Sequence, residues 1–459
     1  MTAKGWRPVA LAALFISATL ALEAGWGPRF GGELRVLVPA LPARVGPPDD
    51  SAPAKRLLAG LVHETLIGWG SDGQPQAGLA GSWAPAAGGR EWSLRLREGA
   101  LFHDGSAVTA ERAAASLRRF LRSASPAAAH LASALEGGPA FARGASEELA
   151  GVGASEGELT LRFAQPRAAA LATLASLGAA IVGADGAVGA GPFVPTFSLP
   201  GKRAVLRAFA EHVRGRPFLD RLQIEVAADR AERARSLKAG TSDLALEVLA
   251  PAQAWSTALL VLDTTRPPFD DPRARRAVDA VLDRPELASR WSEGGEPRFG
   301  LGFLDPPAAE AVSPGPPLVG SIVIEVASDV PLPLGRRVVA LLSSLGLRVA
   351  VVAPLARANA RLLRFAPEIP ERALHLRELL VLAGAPADRI AALEAADAIG
   401  DAPGRSAALD AVAAGLHAER SCLALVGLPL GFAARDGVHG ARFDASSRLV
   451  LEDAWRDER

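Results

Sequence analysis

Residues 58–120 read LAGLVHETLIGWGSDGQPQAGLAGSWAPAAGGREWSLRLREGALFHDGSAVTAERAAASLRRF, and the spacing of their apolar residues changes twice. Together with Leu57, the residues Leu58, Leu61, Val62 and Leu66 recur at helical intervals, which predicts an amphipathic helix over 53–67. The glycine-rich stretch that follows reads as a turn. Trp92, Leu94 and Leu96 then alternate with Ser93, Arg95 and Arg97, the period of a strand with one buried face. Phe102, His103, Asp104 and Gly105 close a turn after it, with His103 and Asp104 in a structural role. Thr109 is placed to cap a helix that carries Glu111 in its positive first turn and buries Ala113, Leu117, Phe120 and Leu121. Gly68, Gly70 and Gly73 satisfy the spacing of a dinucleotide loop, but a helix precedes them and Gln74–Gly78 follows. The required order is strand, loop, helix, so a turn is expected.

Before this block, Gly31–Pro42 reads as a first core strand. Beyond it come a strand over 158–166 and a helix from about residue 170 that runs into a glycine-rich loop. Strands near 203–212 and 219–227 follow, and then a helix over 230–239 that Gly240 stops. Ile322–Val326, a helix around Val338–Leu345 and Leu347–Val352 form a βαβ unit, which implies a partly parallel sheet. The prolines of residues 306–317 suggest an extended linker. A chain of 459 residues exceeds what one core holds, so more than one unit is expected.

The 50 basic and 50 acidic residues cancel without long runs of one sign, which argues against a nucleic-acid partner. Lys4 and Arg7 precede an apolar run from Pro8 to Leu22, the grammar of a signal peptide or N-terminal anchor over 1–24. Cys422 is the single cysteine and stands far from that run. Neither a lipid-modified cysteine nor an intrachain disulfide is therefore expected, and the chain reads as exported and periplasmic. The seven histidines form no local ligand pair, so no metal and no cofactor are expected. Cys422 reads as a buried strand residue, no nucleophile elbow occurs, and no catalytic residue is assigned.

The segments from Leu79 to Glu111, including Ser82, Trp83, Phe102–Gly105 and Thr109–Glu111, resemble the extracytoplasmic solute-binding proteins of family 5, the peptide and nickel type. Gly189–Phe193 is similar to that family's GTGPY segment. The block around residues 262–287 resembles the start of its second lobe, with Asp263 where Asn is usual. The resemblance implies an α/β, two-lobed periplasmic-binding-protein fold of type II, cluster C-like, with a ligand cleft between the lobes. Lobe I would span 31–255 with an accessory subdomain at about 110–185, lobe II 256–424, and 425–459 would return to lobe I. The implied function is capture of a peptide-like or small polar solute by lobe closure and its delivery to an ABC permease, by a monomer. A membrane-associated sensor or scaffold is the alternative. Peptide-binding relatives carry an acid that holds the ligand's amine, and Glu368 takes that place within Phe365–Arg372. Glu368, Phe365 and Trp255 are the expected ligand contacts, although Pro367, Ile369 and Arg372 depart from the family's pattern.

Overall fold

Strand Glu33–Val38 alternates buried Leu34, Val36 and Val38 with partly exposed neighbours and lies at the centre of a six-stranded sheet. It runs parallel to Arg221–Val226 and to Leu244–Leu246. Antiparallel strands Arg203–Ala208 and Phe193–Leu199 extend one side, and Phe432–Ala434 closes the other. The computed structural model describes residues 27–47, 53–70, 73–184, 186, 188–247, 253–291, 318–327, 329–352 and 357–457. The expected N-terminal export segment and the linker over 306–317 lie outside the described residues.

A second, five-stranded sheet has the order Leu347–Val352, Gly320–Val326, Ala360–Phe365, Ala254–Leu262, Cys422–Leu430. Its first three strands are parallel. Gly320–Val326 and Leu347–Val352 are joined through helix Leu332–Ser344, which is the βαβ unit expected from sequence. The chain enters this sheet at Ala254 and leaves it at Leu430, a strand pair that also carries the chain between the two sheets. Cys422 is buried there, and burial pushes its thiol up to about 12, which keeps it protonated.

The third layer is a four-stranded antiparallel sheet, Ala80–Ala86, Glu91–Leu96, Glu158–Arg162 and Val152–Ser155. Helices Ala110–Leu121 and Pro126–Ala134 cover it, and its core includes Leu94, Leu117, Phe120 and Leu159. This unit is larger than residues 110–185, because two of its strands come from residues 80–96. Thr109 caps its first helix as expected, accepting from the Arg112 amide at 3.3 Å.

Two expected helices are shorter or absent. The first helix ends at Val62, because Glu64 bridges to Ile181 and Ile67–Trp69 turns into a hairpin with Pro75–Ala77. Gly68 therefore lies in the hairpin's first strand, and the Gly73 amide donates to Gly70 O at 3.1 Å between the two strands. Residues 171–179 form two 3-10 turns rather than an α-helix, interrupted where Ser176 takes an extended conformation.

Candidate functional site

Where the first helix stops short, its C-terminal end, the Ile67–Ala77 hairpin, the 3-10 turns and residues 442–452 converge on a cavity of about 70 Å³. Lobe II contributes Glu368 to the same wall, from the loop that follows strand Ala360–Phe365. His63, Glu64, Trp69, Arg214, Arg448 and Glu452 give this cavity its polar character.

The charged groups are paired before any solute enters. Burial opposes ionisation of Glu64, but Arg214 at 3.0 Å and His212 at 3.1 Å overcome it and bring the carboxyl down to about 2. Arg448 reaches Asp444 at 2.9 Å and Glu452 at 3.3 Å. Its guanidinium passes so close to Gly60 that a Cβ there would lie 2.1 Å from Nη1. Other polar atoms have no partner: both ring nitrogens of His63, Trp69 Nε1 and Glu452 Oε2. His63 is buried, and desolvation lowers its imidazole to about 3, so it is neutral at ordinary pH.

Glu368 is engaged across the lobes. Its Oε2 accepts from the Ser176 hydroxyl at 2.9 Å and its Oε1 from the Leu177 amide, at the start of a 3-10 turn of the first half. Burial pushes its carboxyl above the usual range, against the pull of nearby Arg56. Arg56, itself buried, donates to Ser446 O at 3.0 Å and to Pro367 O at 3.4 Å, so it too joins the two halves. Phe365 stands elsewhere. It is 2% exposed and packs in the core with Leu259, Ile369 and Ala373. Trp255 does not line the cavity either. It lies on the crossover strand, where its carbonyl accepts from the Ser447 hydroxyl at 3.3 Å.

A second set of contacts joins the halves beside the cavity. Asp397, fully enclosed, accepts from His130 Nε2 at 3.0 Å, the Ala169 amide at 3.2 Å and Arg405 Nε at 2.8 Å. Arg167 meets Glu394 at 3.1 Å. Burial lowers the His130 imidazole, leaving a neutral ring that donates to the ionised Asp397. None of these residues carries a local sequence signature, because their partners lie far away in the chain; Glu64 and His212 are 148 positions apart.

Residues 74–316 match the family described as bacterial extracellular solute-binding proteins, family 5 Middle. The chain belongs to this family. It is a family of binding proteins, not of enzymes. Among curated proteins, this family 5 chain is 31% identical over 124 residues to the "Probable di/tripeptide-binding protein 5" of Pseudomonas aeruginosa, covering 23% of each. It is 26% identical over 204 residues to the "Probable D,D-dipeptide-binding periplasmic protein DdpA" of Escherichia coli, covering 40% of this chain and 37% of that one. The matches thus span well under half the length of these curated relatives. The fold is similar along nearly the whole chain to the murein tripeptide binding protein MppA of Escherichia coli, with a TM-score of 0.81 and 15% identity, covering 93% of this chain and 99% of that one. That likeness establishes the two-lobed periplasmic-binding-protein architecture.

Proposed function

We propose that this family 5 protein is the solute-binding receptor of an ABC importer. It would capture a small polar solute where its lobes meet and present the closed form to a membrane permease. The observation that carries this reading is the polar cavity walled by both halves, in which the second lobe's Glu368 meets the first lobe's 3-10 turns. A cleft closed this way desolvates its solute, and the closed shape is a signal that a permease can read. The names of the curated relatives, a "Probable di/tripeptide-binding protein 5" and a "Probable D,D-dipeptide-binding periplasmic protein DdpA", support a solute with amine and carboxylate groups. Export through the N-terminal segment, with a mature start near Gly25, belongs to the same reading. Among the described residues, no helix is long and apolar enough to cross a membrane.

A thermal-shift screen of the purified protein against peptides and small metabolites tests the receptor role. A bound solute raises the melting temperature in proportion to the logarithm of its concentration over Kd. The expected result is a saturable rise with one chemical class. A flat response across the library would overturn the reading.

A further inference from the structure

We propose that Arg364 is a clamp across the hinge: by holding Glu247 it fixes the angle between the two large sheets, and the lobes part when that ion pair breaks. The inference adds a device to the receptor reading and depends on no property of the solute. Glu247 follows strand Leu244–Leu246 of the six-stranded sheet, at the end from which the chain crosses to the five-stranded one. Arg364 stands on strand Ala360–Phe365 of the five-stranded sheet, in register with Ala258. Its Nη1 meets Glu247 Oε1 at 2.7 Å, 117 positions away in the chain.

The same guanidinium grips both crossover strands. Its Nε donates to the Ser256 hydroxyl at 2.6 Å, and its Nη2 donates to Pro429 O at 3.3 Å. Ser256 extends the tie by donating to Leu428 O at 3.2 Å. Three segments of the chain thus meet on one planar group, in a side chain only 6% exposed. A guanidinium's donors are fixed in a plane, so the three bonds form together at one relative orientation of the sheets.

Glu247 is held from its own sheet as well. It has a φ of 51°, a left-handed conformation that residues other than glycine adopt only where their surroundings impose it. Its amide donates to Gly431 O at 2.7 Å, beside the point where the returning strand re-enters the six-stranded sheet. Its carbonyl accepts from Arg233 Nη2 at 3.2 Å, and that buried arginine also donates to Leu246 O at 2.8 Å and to Ala227 O at 2.6 Å. Arg233 therefore anchors the main chain of Glu247 to one sheet while Arg364 draws its side chain to the other. A turn of one sheet against the other moves these two anchors apart. The ion pair is the contact that yields, because the Glu247 carboxylate is 30% exposed and water can replace its partner.

Spin labels on Lys202→Cys and Arg348→Cys, exposed sites on the two sheets, report the distance between the lobes in the full protein without added solute. Cys422 is buried with its thiol pushed up to about 12, so it stays unlabelled. The expected wild-type result is one dominant distance. Arg364→Lys and Glu247→Gln should each shift the balance about tenfold towards a longer distance, as loss of a hydrogen bond between charged groups does. Combining the two should add little further, because both remove the same contact. Glu247→Gly removes the carboxylate but also relieves the left-handed backbone, so it should lengthen the distance without a matching fall in melting temperature. That variant separates a hinge role from a packing role, and it carries the test if Arg364→Lys fails to fold. Variants that melt earlier at an unchanged distance would overturn the inference, as would a wild type already dominated by the longer distance. No solute is added, so either failure leaves the receptor reading to the library screen.

Discussion

His63 shows how a residue can be legible in position yet not in role. It falls within the predicted first helix, whereas in the folded chain it follows the helix's end at Val62, against Gly189 and Gly191, and has lost its water. Its imidazole falls from 6.5 to about 3, so below pH 6.5 the unfolded chain takes up a proton that the folded chain refuses. The stability it supports is therefore complete above pH 6.5 and declines as pH falls towards 3. Urea denaturation should show His63→Asn losing about 3 kcal/mol less than the wild type between pH 6.5 and 4. Equal losses would place the imidazole in a solvated setting. Glu64 acts in the same direction at lower pH, its support being present above about 4.5 and lost towards 2. Of the three expected ligand contacts, Glu368 lines the cavity, whereas Phe365 packs in the core and Trp255 lies on the crossover strand. The sequence placed an acid at the cleft but could not show that Ser176 and Leu177 already occupy it.

At the scale of elements, the Phe102–Gly105 turn and the Gly189–Phe193 loop prove to be one joint. His103 N donates to Gly189 O at 2.9 Å, and its ring lies 2.9 Å from Gly191 O, while Asp104 accepts from Ser106 within the turn. The loop then crosses the end of the first helix so closely that a Cβ on Gly191 would lie 2.6 Å from the Val62 carbonyl carbon. Backbone cannot yield there as a side chain could. Gly191→Ala should cost about 1–3 kcal/mol in chemical denaturation, whereas Asp104→Ala, on an exposed turn, should cost about 1 kcal/mol or less. Comparable costs for the two would contradict this packing. The strands and the βαβ unit were legible because their apolar period is local. The 3-10 turns at 171–179 were not, because Ser176, extended between them, meets a partner 192 positions away in Glu368.

For the whole molecule, the closed arrangement rests on buried ion pairs as well as on Glu368. Asp397 binds His130 and Ala169 of the first half, and Glu394 binds Arg167. Removing Asp397 leaves the buried His130 N–H and the Ala169 amide without their acceptor, at a cost of about 1–3 kcal/mol each to the closed form. Asp397→Ala should therefore scatter X-rays as a more extended particle than the wild type without solute, and should bind its solute more weakly. Unchanged scattering would mean that this contact does not hold the lobes. The central claim, that a small polar solute is enclosed between them, is met most directly by native mass spectrometry of the protein as purified and after incubation with metabolite pools. The account predicts a single small adduct that is released when the protein is denatured; a wild-type protein that stays at its unliganded mass in every pool would contradict it.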